Sequence, residues 1–420
     1  MATLDSLPDE LILHMLCVSE SIDVVGRLAM TSRRYLFLVA DRALWRHMCL
    51  MHFGLPLHKH FEASGKDWRW LYQAQSRDAP PIGAGVGGVI LRGRVYWGDT
   101  MDGLPHGYGL GLCLPTRHRV PDAAVRIRRD PDVTAVLPNA VVGPCYEGQW
   151  TGGFMHGHGH RIYKDGSRYE GECHDDKRHG HGALAWPDGR RYEGQWHNDE
   201  KHGHGTFAWP DGQHYNGEWH DDKRHGHGVC ACPNGERYEG EWHDDNVHGR
   251  GIYTSLDGQR YEGEWREGNM HGHGSYAWPN GNRYEGKWHH GKRQGYGVLA
   301  WSNGNQYAGA WHNGNRHGYG VSTWTSAGRH EHQQQCHDSP IDPRTSVDSQ
   351  QHNGIWHNDR AHGPGVLTYT DGSALRGEWC NSVLTKAEVV RHCAKLCTRG
   401  VCACAASRAV AIASRVSVPP

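Results

Sequence analysis

Histidine is the first candidate for chemistry in this 420-residue chain, which holds 35 His and repeats many of them in register. His179, His202, His225, His248, His271, His317 and His362 recur at one position of a 23-residue period, and His181, His204, His227 and His273 lie two residues further on. Imidazoles at fixed intervals suit either a metal ladder or a response to pH. If each period is one hairpin, equivalent His lie ~10 Å apart, too far to share an ion. His179 with His181 then supplies only two of the usual four or so ligands of a structural zinc. No metal site is expected on that spacing, and His beside Gly reads as a turn and edge residue. A charge response is the alternative, because residues 146–321 hold 21 His and a net charge of −5, which moves toward +16 if every ring is protonated. That change centres near the reference imidazole pKa of ~6.5.

Cysteine is the second candidate, with 13 in the chain. Cys393, Cys397, Cys402 and Cys404 cluster beside His392, but their spacing does not match a paired Cys-Xaa-Xaa-Cys zinc site. Metal binding, lipidation, redox reactivity and a reduced tail all remain open for them. Cys230 and Cys232 fall where neighbouring repeats carry a local Ala-Trp pattern, and read as substitutions. No Gly-rich phosphate loop leads from a strand into a helix, and no Ser or Cys has a recognisable catalytic partner. Glu239 and Glu241 alternate outward and read as solvated. The expectation is a non-enzyme with no cofactor.

The elements that carry these residues follow from an internal repeat. Tyr-Xaa-Gly-Xaa-Trp or a near copy starts at Tyr146, Tyr169, Tyr192, Tyr215, Tyr238, Tyr261, Tyr284 and Tyr307, always 23 residues apart, with weaker copies at Tyr96, His352 and Leu375. Alternation puts Tyr238, Gly240 and Trp242 on one side of a strand and Glu239 and Glu241 on the other. A polar turn, His243-Asp244-Asp245-Asn246, then a second run to Tyr253 and a turn at Asp257-Gly258 make each repeat a β-hairpin. Gly at the strand centre leaves room for a ring to lie across the backbone. The fold expected is mainly β, an elongated single-layer antiparallel sheet of stacked hairpins, on the order of 100 Å long, preceded by a small all-α domain.

Composition agrees with that outline. A mean hydropathy of −0.75, 57 Gly, and 18 Trp and 18 Tyr against 5 Phe suit rings with polar handles rather than a large dry core. The formal charge of −1 removes the electrostatic argument for a nucleic-acid partner. Asp5, Asp9 and Glu10 near the start do not suit a secretory leader, and no apolar run reaches the ~18 residues of a spanning helix. A soluble, cytoplasmic, thiol-reduced protein is expected, with the nucleus left open. The domains read as 1–50 helical, 51–95 a helical linker and 96–380 the β array. Loop insertions are placed at about 119–145 and 331–351, and a basic, Cys-containing tail at 381–420.

Tyr-Glu-Gly-Glu-Trp, then His-Gly-His-Gly or His-Gly-Tyr-Gly, then Asp-Gly or Asn-Gly, every 23 residues, resembles the MORN repeat family. The resemblance implies an extended antiparallel sheet serving as scaffold, dimerisation or target-binding surface, with lipid binding proposed for some relatives. The acidic balance of residues 146–321, where Asp175-Asp176 sit beside Lys177-Arg178, argues against membrane binding at neutral pH.

Ahead of the array, Ser6 is an N-cap candidate before Pro8, and apolar residues recur at helical spacing through Leu11, Ile12, Met15 and Leu16. Leu7-Pro8-Asp9-Glu10-Leu11, Leu28-Ala29-Met30-Thr31-Ser32-Arg33 and Asp41-Arg42-Ala43-Leu44-Trp45 together resemble the F-box. Asp67-Trp68-Arg69-Trp70-Leu71-Tyr72 is similar to the segment that often follows one. The resemblance implies docking onto the Skp-type adaptor of a cullin-RING ubiquitin ligase through Leu7, Pro8, Leu11, Ile12 and Leu16. An F-box followed by a long MORN array resembles proteins abundant in giant DNA viruses of amoebae, which would place the protein in a host cytoplasm.

The leading expectation is a ligase adaptor whose array holds a still unknown target protein on an exposed Tyr/Trp face, for example Tyr192, Trp196, Tyr238, Trp242, Tyr261 and Trp265. The alternative is a structural scaffold or self-associating protein, a homodimer included. A third reading is a membrane-surface tether using the basic tail.

Overall fold

Five helices and 23 strands follow one another along the chain in a computed structural model that describes residues 4–19, 21–113, 145–325, 349–370 and 372–391. The helices are α1 (Asp9–Ser19), α2 (Ile22–Ala29), α3 (Arg33–Leu38), α4 (Arg42–Phe53) and α5 (Trp68–Ser76). The strands form one antiparallel sheet. The chain divides into two compact units, Met1–Pro210 with Trp219–Asp222, and Asp211–Glu218 with Lys223–Pro420.

A single repeat shows why the sequence makes a hairpin. Strand Arg237–His243 is followed by Asp244 and Asp245, both in the left-handed region at φ 46° and 67°. Two such residues make a type I′ turn, whose twist matches that of the flanking strands, and Asp or Asn followed by Asp or Gly accepts that backbone. The return strand Asn246–Thr254 pairs Tyr238 with Tyr253 and Gly240 with Gly251. A bulge falls between Gly240 and Glu241, opposite Gly249, whose φ of 55° disfavours any side chain.

Gly251 has a different reason to be Gly. A Cβ there would lie 2.6 Å from Cζ of Tyr238, so the ring rests directly on the backbone. The Tyr238 hydroxyl donates to Glu241 O at 2.9 Å, and Trp242 Nε1 donates back to Gly228 O of the preceding hairpin at 3.2 Å. The same indole bond recurs from Trp196 to Gly182 and from Trp311 to Gly297, both at 3.0 Å. A Phe could make neither bond, which accounts for the excess of Trp and Tyr over Phe.

Adjacent repeats are also clipped by charge. Arg178 stacks 4.0 Å over the Trp196 ring and donates from Nε to Asp199 at 3.0 Å, while Arg316 does the same to Trp356 and Asp359 with its side chain only 10% exposed. The Asp-Asp-Lys-Arg blocks are therefore neutralised partly by the next repeat's turn, not only within themselves.

The helical domain packs Ile12, Leu16, Val25, Tyr35, Leu44, Trp45 and Met48 against Trp68, Trp70, Leu71 and Tyr72 of α5. Asp67 caps α5 by accepting from Trp70 N at 2.7 Å, and Asp41 caps α4. Leu4–Ser6 form one 3-10 turn and α1 begins at Asp9, so Ser6 is not its N-cap. Two carboxylates tie the domain to the first strands. The buried Glu147 accepts from Lys59 N, His60 N and the Tyr108 hydroxyl at 2.6–2.8 Å, and Asp99 accepts from Lys66 Nζ and Trp70 Nε1 at 2.6 Å.

Two boundaries differ from the sequence reading. Strand Ala84–Leu91 lies inside the segment expected as a helical linker, pairing with Arg94–Met101. Strand Val383–Arg391 lies inside the expected tail, pairing with Ala374–Cys380. Val383–Arg391 has no glycine, and Ala84–Leu91 keeps only the Gly85-Val86-Gly87 pair of the return strands, with Gly87 opposite Gly98. Residues 119–144 and 331–348 of the expected insertions, and the Cys393–Cys404 cluster with His392, lie outside the described residues.

Candidate functional site

Three surfaces are candidates: the helical face of α1, the side of the sheet opposite the aromatic rings, and a line of imidazoles along the hairpin ends. On α1 the expected contacts divide. Ile12 and Leu16 are buried at 1% and 3% exposure, because they point into the bundle, and so cannot meet a partner. Leu7 is half-buried and Pro8 exposed. Leu11, Met15 and Val18 are exposed, and their i, i+4, i+7 spacing puts them on one helix face. Val24, Met30, Leu36 and Phe37 are also exposed on α2, α3 and the turn between them. Arg34 fixes the start of α1 through Asp9 Oδ1 at 2.6 Å, and Tyr35 donates to Asp5 at 2.6 Å.

The expected Tyr/Trp face is not exposed. Tyr192, Tyr238, Tyr261, Trp196 and Trp242 are buried and Trp265 half-buried, since each Tyr lies on a glycine and meets the edge of a Trp. Tyr192 touches Trp196 at 4.9 Å between centroids, and Tyr261 touches both Trp265 and Trp288. Burial holds the hydroxyls of these three Tyr well above the usual phenol range. These rings are the core of the array.

On the opposite side, Glu241 is not merely solvated. Its Oε1 accepts from Arg250 N at 2.8 Å across the bulge, as Glu264 Oε1 accepts from His273 N at 2.9 Å. Glu264 lines, with Glu239 and Glu262, a trough around Gly251, Ile252 and Gly263 that Arg250 and His273 also border. Further along the same unit, Ala308 and Ala310 replace the two Glu, and the residue between the paired glycines becomes Tyr296 or Tyr319, exposed at 64% and 63%. Register sets Tyr296 opposite Ala310, Ala308 opposite Val321 and Tyr319 opposite the exposed Ile355, an apolar and aromatic patch on one side. The change from His-Gly-His-Gly to Gln-Gly-Tyr-Gly at Tyr296 and His-Gly-Tyr-Gly at Tyr319 was its sequence signal.

The imidazoles are closer than the hairpin period suggests. The residue after each Trp, or its counterpart in the repeat, is also often His, and it interleaves between the His of the return strands. Ring centroids run His156–His174 4.7 Å, His174–His179 5.6 Å, His179–His197 5.2 Å, His197–His202 5.6 Å and His202–His220 5.0 Å. The same zipper appears at His225–His243 and His312–His317–His357. The expected ~10 Å separation is thus halved, because adjacent strands each contribute a ring. Burial and the neighbouring His197 and His174 depress the His179 pKa, and burial with His289, Arg266 and His290 depresses that of His271.

Among the described residues no helix is long and apolar enough to cross a membrane. Cys230 and Cys232 are half-buried free thiols.

Comparison with known proteins finds the MORN repeat in nine segments, residues 146–168, 169–190, 192–214, 215–237, 238–260, 261–283, 284–306, 307–329 and 352–374. The match covers repeats and not the helical domain. No curated protein matches. Solved structures that resemble the chain include the TCP domain of Drosophila melanogaster SAS-4 (dCPAP) in complex with a proline-rich motif of Ana2 (dSTIL). It is 11% identical with a TM-score of 0.25, over 37% of this chain and 85% of that one. The E1021V mutant of the TCP10 domain of Danio rerio CPAP is 11% identical with a TM-score of 0.22, over 59% and 93%. A streptogramin B lyase is 12% identical with a TM-score of 0.13, over 71% and 92%. Scores this low carry no inference. The MORN family is typically non-catalytic, with a repeat-based binding or scaffold role. By its period, its glycine-seated rings and these nine matches, the segment from 146 to 374 is an array of MORN repeats.

Proposed function

We propose that this chain is a non-enzymatic adaptor in which the helical domain docks a Skp-type protein of a cullin-RING ubiquitin ligase and the MORN array holds a target protein. The observation that carries the reading is the exposed Leu11, Met15 and Val18 face on α1. Three large apolar side chains on one face of an 11-residue helix are what a helix-docking partner would cover. The resemblance of Leu7–Leu11, Leu28–Arg33 and Asp41–Trp45 to the F-box supplies the class of partner. Tyr296, Tyr319 and Ile355 are the best candidates for target contact, since exposed aromatic residues among small ones resemble interface anchors. The rings of the Tyr-Xaa-Gly-Xaa-Trp motif are withdrawn from that role.

The test is affinity capture from host-cell extract with the intact chain and a Leu11→Asp, Met15→Asp variant. Both residues are exposed, so the bundle is retained, whereas Ile12→Asp would break the core. Skp-type and cullin proteins captured by the intact chain and lost from the variant support the adaptor. Their absence from both removes it and leaves the scaffold.

A further inference from the structure

We propose that His156, His174 and Asp175, and again His202, His220 and Asp221, form two divalent transition-metal sites that clip adjacent hairpins together. In each group, one ligand atom from every residue lies within 4.8 Å of the other two. In the first, Nδ1 of His156 is 3.8 Å from Asp175 Oδ1 and Nδ1 of His174 is 3.7 Å from Asp175 Oδ2. In the second, the matching distances from His202 and His220 to Asp221 are 3.7 and 3.6 Å. Ligands ~2.0–2.2 Å from a tetrahedral ion stand roughly 3.4 Å apart, so small side-chain rotations would close the coordination.

The surroundings leave two of these atoms available. Nδ1 of His156 and of His202 is shielded from water and makes no hydrogen bond. An imidazole nitrogen in that position gains from a cation in a way that it does not gain from a neighbouring ring. The two acids of each turn divide their roles. Asp176 accepts from Met155 N at 2.9 Å and pairs with Arg94, and Asp222 accepts from Lys201 N at 3.0 Å, holding neighbouring hairpins. Asp175 and Asp221 are turned instead toward the imidazoles.

Two imidazoles and one carboxylate suit Zn²⁺, Ni²⁺ or Cu²⁺, with water completing the shell. The His of the return strand comes from one hairpin, and the second His and the Asp from the next. A bound ion therefore bridges two repeats. The arrangement recurs after 46 residues, and in the repeat between, Asn198 stands in the place of Asp beside His179 and His197. That Asn also shows which change the turn tolerates, since Asn198 and Asp175 have φ of 51° and 49°.

The experiment uses the full chain stripped of metal, equilibrated with Zn²⁺, desalted and assayed for zinc by mass spectrometry, with thermal melting followed by circular dichroism. The Asp175→Asn, Asp221→Asn variant should retain two fewer zinc ions per chain than the parent, and each single variant one fewer. Zinc should raise the parent's melting temperature more than the double variant's. Cobalt substitution should give visible d–d bands that the double variant loses. If a folded double variant holds as much zinc as the parent and responds equally in melting, the proposal is overturned. A His156→Gln, His202→Gln chain with unchanged zinc content would overturn it independently.

Discussion

Placing a methyl group on Gly205 tests the physical basis of the array. Tyr192 has no exposed surface, and a Cβ at Gly205 would sit 2.6 Å from its Cζ. Gly205 pairs with Gly194 in extended backbone, so the effect of Ala there is steric. Overpacking costs about 1–3 kcal/mol when neighbours can adjust. Complete expulsion of the ring would approach the about 3–5 kcal/mol typical of truncating a buried aromatic. Gly205→Ala is therefore expected to lose about 2–4 kcal/mol, and Tyr192→Ala about 4 kcal/mol. The double variant should cost no more than Tyr192→Ala, because the methyl group then occupies space the ring has left. Stability in a repeat array is local, so the assay is native-state hydrogen exchange read on peptides covering residues 191–208. Additivity of the two substitutions to within about 0.5 kcal/mol would refute the claim that Gly205 exists to seat Tyr192.

Trp242→Phe removes the indole bond to Gly228 O while keeping most of the buried area, and is expected to cost about 1–2 kcal/mol by exchange on residues 224–254. Acid should weaken the array through His271. Its folded pKa is depressed below the unfolded value of 6.5, so its stabilisation is complete above that value and is lost as pH falls from there through the folded pKa. Thermal melting at pH 7.5 and 5.5 should show the loss, and His271→Asn should reduce the difference between the two. Tyr296→Ser with Tyr319→Ser should leave melting unchanged to within about 0.5 kcal/mol, as expected of exposed sites, while weakening capture of any target. Unaltered capture would move the target surface elsewhere.

How far the structure was legible depended on whether a feature is local. The 23-residue period, the hairpin and the Asp-Asp turn are short-range, and each could be read from residue type and alternation, but the glycine beneath Tyr238 is Gly251 of the return strand and not the strand-centre Gly240 expected to seat a ring. Which side of the sheet is covered could not. Tyr192 and Trp196 alternate in the way an exposed aromatic ladder would, and only the cross-strand register reveals that the rings cover each other. Register also hid the imidazole zipper, because His174 and His179 belong to opposite strands and their proximity depends on pairing. On α1 the expected contacts took residues from both faces of the helix. Leu11 faces out where Ile12 faces in, and apolar residues at both leave the choice to the bundle. Strand Val383–Arg391 has no glycine and became visible only through its partner, while Ala84–Leu91 keeps the Gly85-Val86-Gly87 signal without the flanking His.

The most direct test of the adaptor reading is light scattering after size exclusion, with the full chain mixed with a purified Skp-type adaptor. A 1:1 complex that the Leu11→Asp, Met15→Asp variant cannot form, while its circular dichroism and melting match the parent, is the predicted result. Separate elution of the two intact proteins, or complex formation undiminished in the variant, would contradict it.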